Sequence, residues 1–142
     1  MDKLNDTFSR FPNDHTIINL SNTIINELVK LPGLEKTISD IIKQNMKEIT
    51  DIVDAGKYEN EKPQILFNLE RINAFTSNRK QIALMIESNF VKTLNQLLNT
   101  TLKDQDTSNL NENLINNEFG LLTKIIDEIK VNNSQYLEVK YH

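Results

Sequence analysis

Apolar residues recur at three- and four-residue spacing along most of the chain, and this is the spacing of one face of an α-helix. Residues that interrupt helices are few, since glycine and proline occur only three times each among 142 residues. The strict alternation of apolar and polar residues that marks a half-buried strand is almost absent. These patterns predict an all-α fold of helices separated by short breaks.

Two breaks divide the N-terminal half of the chain. The first apolar run consists of Ile17, Ile18, Leu20, Ile24, Ile25, Leu28 and Leu31. This run predicts a helix over about residues 14–31, which Pro32-Gly33 ends. A second run extends from Leu34 to about Asp54, as one long helix or two abutting ones, and Ala55-Gly56 ends it.

The C-terminal half contains shorter predicted helices. One begins near Pro63, which suits a first-turn position, and stops before Thr76-Ser77-Asn78. Short helices follow on both sides of Ser88-Asn89. The remaining predicted boundaries are a loop over 99–109, a final helix from about Asn111 or Glu118 to Val131, and an end of that helix at Asn132-Asn133-Ser134.

Composition excludes several classes of protein. No cysteine is present, which rules out disulfides and thiolate metal sites. The net charge is −4 and no basic cluster is longer than Arg79-Lys80, so a nucleic-acid partner is not expected. No apolar run approaches the roughly 20 residues that span a membrane, and the polar start MDKLNDTFSR is unlike a signal peptide. We therefore predict a cytoplasmic protein without membrane insertion.

Candidate catalytic groups are scarce. His15 lies beside Asp14 at a predicted helix start and His142 is the last residue, so the two histidines do not have the spacing of metal ligands. Acidic residues predicted to lie on solvated helix faces are Glu48, Asp51, Asp54, Asp127 and Glu128. We predict a protein that is not an enzyme and uses no metal or cofactor.

Self-comparison of the sequence reveals internal similarity. Ile25 and Leu28 match Leu69 and Ile72 at an offset of 44 residues. Further matching stretches are EKTISDII (35–42), VKTLNQLL (91–98) and FGLLTKII (119–126). An offset of 44 falls in the range of about 40–47 residues that is typical of armadillo and HEAT repeats.

The stretch LERINAFTSNRKQIALMIESNFVKTLNQLL, residues 69–98, resembles the junction of an armadillo repeat. In that family a long helix is followed by a polar turn, an isoleucine, a small-residue turn and a short helix of pattern I-x-x-L-x-x-L-L. Thr76-Ser77-Asn78-Arg79 supplies the polar turn and Ile82 the isoleucine. Ser88-Asn89 stands where the family commonly has glycine, and asparagine tolerates the left-handed conformation.

This resemblance implies a short right-handed stack of armadillo-like repeats. Residues 1–142 would form one domain of about two recognisable repeats and a degenerate C-terminal unit, or a fragment of a longer array. The alternative is an irregular helical bundle.

The resemblance also implies a binding surface, because a stack of repeats presents the same helix of each repeat side by side. Peptide-binding members use an Asn on such a helix to clamp a ligand's backbone, and Arg71 and Glu27 occupy the matching positions here. We expect Asn68 and Arg71 to be neighbours on an exposed face of residues 64–76. Asn68, Arg71 and Glu27 are therefore the predicted partner-binding residues.

A non-enzymatic scaffold or adaptor for a protein or peptide partner is the function that these patterns favour. Two alternatives remain at the level of sequence. One is a small helical effector or inhibitor that docks on another protein, and the other is a structural subunit of a larger complex.

Overall fold

The computed structural model describes residues 20, 23–25, 27–28, 30–76 and 79–141, with side chains described as far as Asn132. All regular secondary structure in these residues is α-helical, which confirms the predicted all-α class. The helices with defined bounds are α1 (Glu35–Asp54), α2 (Lys62–Phe75), α3 (Arg79–Glu87), α4 (Phe90–Lys103) and α5 (Asn109–Tyr141). Most of the predicted first helix lies outside the described residues, but positions 20, 23–25 and 27–28 are helical.

Three residues with positive φ mark the breaks that the sequence predicts. Gly33 has φ 89° and Gly56 has φ 69°, a region that glycine occupies without steric penalty. Asn89 takes the same left-handed conformation, with φ 63° and ψ 21°, immediately before α4. The predicted break at Ser88-Asn89 is confirmed. Pro63 lies in the first turn of α2, also as predicted.

The predicted loop over 99–109 is wrong, because α4 continues to Lys103 and the loop is confined to 104–108. The hydroxyls of Thr100 and Thr101 bond back to carbonyls four residues earlier in α4, at 2.9 Å each. These hydrogen bonds satisfy both hydroxyl groups within the helix, so the two threonines do not end it.

α5 begins earlier and ends later than the sequence predicts. Its first turn is capped by Ser108, whose Oγ accepts from the backbone N–H of Asn111 at 3.4 Å. At the other end, the backbone stays helical to Tyr141, so the predicted stop at 132–134 is wrong. Asn132 accepts a hydrogen bond from Arg79 at 3.1 Å, and neither proline nor glycine follows it to break the helix.

Four helices form a ring in the order α1, α2, α5, α4, and the short α3 contacts α1, α4 and α5. Met46 on α1 contacts Ser88 in the turn before α4, and Thr50 on α1 contacts Thr93 on α4, at separations of 42 and 43 residues. Because the later residue on α1 contacts the later residue of the other segment, α1 and α4 run in the same direction. Contacts of Asn73 with Asn117 and of Thr76 with Lys124 relate α2 and α5 in the same way.

The interior of the ring is mainly apolar. Leu69, Ile72 and Leu94 are fully buried, whereas Leu98 is only half-buried. The other core side chains are Ile25, Ile38, Ile42, Met46, Ile49, Tyr58, Ile65, Phe67, Phe75, Met85, Phe90, Leu97, Leu114, Leu121 and Ile125. Burial of this apolar surface is the main stabilising contribution to the fold.

Candidate functional site

The structure buries two of the three residues predicted to bind a partner. Asn68 is 0% exposed and Arg71 is 2% exposed, so the prediction that they share a solvent-exposed face is wrong. The reason is the position of α2, which contacts α1 on one side and α5 on the other. A helix with neighbours on two sides has little surface left for solvent. Asn68 donates from Nδ2 to the carbonyl of Gln64 at 2.9 Å, inside its own helix.

Arg71 is part of the core. Its guanidinium carbon lies 5.3 Å from the centre of the Phe67 ring and 5.7 Å from that of Phe75, within range of cation–π attraction. Burial lowers the pKa of Arg71 to about 10, and the negative charge of Glu48 opposes this shift. The guanidinium therefore stays charged at neutral pH. Phe67, Arg71 and Phe75 follow one another at four-residue spacing and so lie on one face of α2. This face is separate from the one that carries Leu69 and Ile72, and the two together were the sequence signal that α2 is buried on two sides.

Glu27, the third predicted residue, belongs to the segment before α1. It is exposed and forms an ion pair with Lys30 at 3.4 Å. The three predicted residues thus do not form one surface, since two are in the core and one is on the outside of another segment.

The acidic residues separate into two groups. Asp51, Asp54 and Asp127 are exposed, as predicted, and Glu48 is half-buried. Glu128 is buried instead, and its carboxylate oxygens accept from Arg79 Nε at 3.0 and 3.2 Å. In the part of the chain that the structure describes, no three His, Cys, Asp or Glu side chains come together as metal ligands would. His15 and His142 lie outside the described residues.

A groove of about 440 Å³ runs along the surface between α1 and α4, and we take it as the candidate site. Its α1 wall consists of Lys43, Met46, Lys47, Thr50, Asp51 and Asp54, and its other side consists of Ser88, Asn89, Phe90, Lys92, Thr93 and Gln96. The α1 residues fall on one helical face and span 12 positions, or about 16 Å of helix from the first to the last.

Two apolar side chains lie at the base of the groove. Met46 is 4% exposed and Phe90 is 2% exposed, so each presents little surface to solvent. Phe90 holds this position because the left-handed Asn89 turns the chain sharply from α3 into α4. The hydroxyl of Ser88 contacts Met46 Sδ at 3.5 Å, which joins this turn to the α1 wall.

Hydrogen-bonding groups from both walls meet above this base. Thr50 Oγ1 on α1 and Thr93 Oγ1 on α4 are 3.4 Å apart. Thr50 also bonds back to the carbonyl of Met46 at 2.9 Å, which fixes its rotamer. Amides and hydroxyls in such a groove can bond to the backbone of an extended chain.

The charges of the groove are distributed unevenly along it. Lys47 and Asp51 form an ion pair at 2.9 Å and largely neutralise each other. Lys43 and Lys92, one on each wall, are exposed and form no ion pair within the described part of the chain. Asp54 lies at the far end of the α1 wall. Unpaired positive charge therefore lies at the Lys43 end of the α1 wall and at Lys92 on the opposite wall.

Sequence reasoning missed this groove because neither wall is unusual alone. The groove-lining residues of α1 have the pattern of a solvated helix face. These residues line a groove only because α4 lies beside α1. The residues that they contact there are 42 to 43 positions later in the sequence. The one available signal was the repeat offset, which predicts that residues about 44 apart become neighbours.

Comparison of the chain with protein-family models, curated proteins and solved structures gives no match. None of the helices in the described part of the chain combines the length and the apolar character that crossing a membrane requires.

Proposed function

We propose that this chain is a non-enzymatic protein-interaction module, an adaptor or scaffold, whose groove between α1 and α4 binds a segment of a partner protein. The observation that supports the proposal is the groove itself, with an apolar base, hydrogen-bonding walls and two lysines without ion-pair partners among the described residues. Binding sites combine apolar area with a few polar groups in this way.

The chemistry of the groove indicates the kind of segment that would fit. A length of about 16 Å accommodates about five residues of extended chain at roughly 3.3 Å each. Lys43 and Lys92 favour a carboxylate on the segment, because an opposite charge gains both attraction and hydrogen bonds. Met46 and Phe90 favour an apolar side chain close to that carboxylate. We therefore expect a short acidic and apolar peptide segment.

An armadillo-like stack is our interpretation of the architecture. The first helix of the pair α1–α2 contacts the first helix of the pair α4–α5, and the second contacts the second. The contacts Thr50–Thr93 and Asn73–Asn117 join residues that are 43 and 44 positions apart. Stacked repeats of about 40–47 residues would produce such contacts. On this interpretation the groove is formed by the same helix of two successive units.

Selection from a displayed library of random peptides tests the proposal. We expect selected peptides to contain an acidic residue next to an apolar one. Gln96→Trp should fill the groove, and Lys92→Glu should repel the carboxylate, since both side chains are exposed and line the groove. Each variant should weaken binding at least tenfold, which corresponds to about 1.4 kcal/mol.

Lys130→Glu is the matched control, because Lys130 is an exposed lysine on α5 and the substitution changes the net charge equally. Thermal melting of all variants checks that the fold is intact. If selected peptides bind the Gln96→Trp and Lys92→Glu variants as tightly as they bind the control, the groove is not the binding site.

A second candidate function, a structural subunit that assembles through α5, is favoured by a different observation. Phe119, Ile126 and Ile129 are 49%, 49% and 41% exposed, and with the partly buried Leu122 they form a stripe at three- and four-residue spacing. Such a stripe can pair with another helix. Sedimentation that depends on concentration in the wild type and not in Ile126→Lys would support this candidate. A monomer at all concentrations would remove its support.

A further inference from the structure

A buried carboxyl group, Glu118 on α5, lies outside the groove and is not used by the proposed function. It is 0% exposed. Its Oε1 is 2.7 Å from the hydroxyl oxygen of Thr101 on α4. The same Thr101 oxygen is 2.9 Å from the carbonyl of Leu97 and 3.3 Å from the hydroxyl of Tyr58, in the turn between α1 and α2. Three elements of the fold therefore meet at one oxygen atom.

Counting protons at this oxygen shows which form of Glu118 satisfies its neighbours. A threonine hydroxyl has one proton to donate and two lone pairs to accept with. If Glu118 is ionised, this one proton serves either the Glu118 carboxylate at 2.7 Å or the carbonyl of Leu97 at 2.9 Å. If Glu118 is protonated, it donates to Thr101 while Thr101 donates to Leu97. Both contacts are then hydrogen bonds, so the arrangement fits a neutral Glu118.

The other carboxyl oxygen supports this assignment. Glu118 Oε2 is buried and has no hydrogen-bond partner within the described part of the chain. An ionised carboxylate accepts hydrogen bonds at both oxygens and is costly to bury without them. A neutral carboxyl group tolerates such surroundings much better.

The charged and titratable groups around this junction do not compensate a negative charge on Glu118. Tyr58 faces it from the turn between α1 and α2, and burial raises the pKa of that phenol, so it stays neutral. Lys62 on α2 lies 5.3 Å from the Tyr58 ring, but its ammonium group already pairs with Asp104 at 2.5 Å, Glu59 at 3.3 Å and Asp106 at 3.6 Å. Lys62 is thus surrounded by carboxylates of its own.

We propose that Glu118 is a protonation switch that holds α4, α5 and the turn between α1 and α2 together in its neutral form and loosens this junction when it ionises. The ligand of the site is a proton, and its release is opposed by burial at a point where three elements meet. The residues of this switch do not line the groove, so an experiment can support or exclude the switch without testing the proposed function.

Burial raises the pKa of Glu118 from 4.5 to about 7, although the hydrogen bond with Thr101 acts in the opposite direction. A carboxyl group with a raised pKa binds more protons in the folded state than in the unfolded state. Its stabilising contribution is therefore complete below about pH 4.5 and is lost as the pH rises through about 7. The upper end of this window lies at neutral pH.

Chemical unfolding of the wild type and Glu118→Gln at pH 5 and pH 8 tests the switch. Glutamine is neutral at both values and can still donate to Thr101. Between pH 5 and pH 8 we expect the folding equilibrium constant of the wild type to fall by on the order of 50- to 100-fold relative to that of the variant. Glu112→Gln is the matched control, because Glu112 is an exposed carboxylate on the same helix and should leave the pH dependence of the wild type unchanged.

Nuclear magnetic resonance of the side-chain carboxyl carbons measures the titration directly in the wild type, even if Glu118→Gln should fail to fold. A Glu118 resonance that titrates near pH 7 supports the switch. Titration near the ordinary value of 4.5, or identical pH dependence of stability in the wild type and Glu118→Gln, would overturn it.

Discussion

The side-chain amide of Asn73 on α2 donates to the side-chain oxygen of Asn117 on α5 at 2.9 Å and to the carbonyl of the same residue at 3.2 Å. Two turns further along α5, Lys124 donates to the carbonyl of Asn73 at 2.9 Å and contacts the hydroxyl of Thr76 at 3.2 Å. The lysine places a positive charge at the carboxyl end of α2, where the helix dipole favours it. These bonds fix the register of the two helices.

Removal of this link should measure its contribution. Asn73→Ala deletes two hydrogen bonds and leaves oxygen atoms of Asn117 without their donor, so we expect the free energy of unfolding to fall by about 1–2 kcal/mol. Asn95→Ala on α4 is the control, because Asn95 is exposed. Urea denaturation monitored by circular dichroism gives both values. Equal stability of the two variants would mean that the Asn73–Asn117 link does not hold the helices.

The core prediction concerns Leu94, which is fully buried where α4 faces the interior of the ring. Leu94→Ala should lower the free energy of unfolding by roughly 2–5 kcal/mol through lost burial and a residual cavity. Leu102→Ala, in the same helix, removes the same atoms from a side chain that is 55% exposed and should cost much less. A loss below about half a kcal/mol for Leu94→Ala would contradict the packing of α4.

Arg71 provides a test of whether a buried charge has a structural role. Arg71→Ala removes the contacts with Phe67 and Phe75 and should cost about 3 kcal/mol or more, whereas Arg71→Met retains most of the volume and should be tolerated better. Arg71→Glu should be the most destabilising, because it buries an uncompensated negative charge. If Arg71→Glu melts like the wild type, the guanidinium is on the surface and the position of α2 is wrong.

Much of the fold could be predicted from the sequence because its determinants are local. Pro32-Gly33, Ala55-Gly56 and Ser88-Asn89 each end a helix by conformations that the backbone chemistry of glycine, proline and asparagine favours. The helical periodicity between these breaks places most apolar side chains in the core. Such features depend on residues close in sequence, so a single sequence contains them.

The errors arose where distant neighbours decide the outcome. Asparagine and threonine disfavour helices only weakly, so the burial of Thr101 and the hydrogen bond from Arg79 to Asn132 are enough to keep the helix at these positions against the local preference. The burial of Asn68 and Arg71 depends on α1 and α5 lying on both sides of α2. The groove likewise requires α1 and α4 to meet, which no local pattern specifies.

Chemical-shift mapping with an acidic peptide selected on the wild type tests the central claim most directly. When the peptide is titrated into isotope-labelled protein, we predict that backbone amide shifts concentrate in residues 43–54 and 88–96, the two walls of the groove. The same peptide should cause much smaller shifts in Gln96→Trp at equal concentration. Shifts concentrated instead on α5 around Phe119, Ile126 and Ile129, with the walls of the groove unaffected, would contradict the claim.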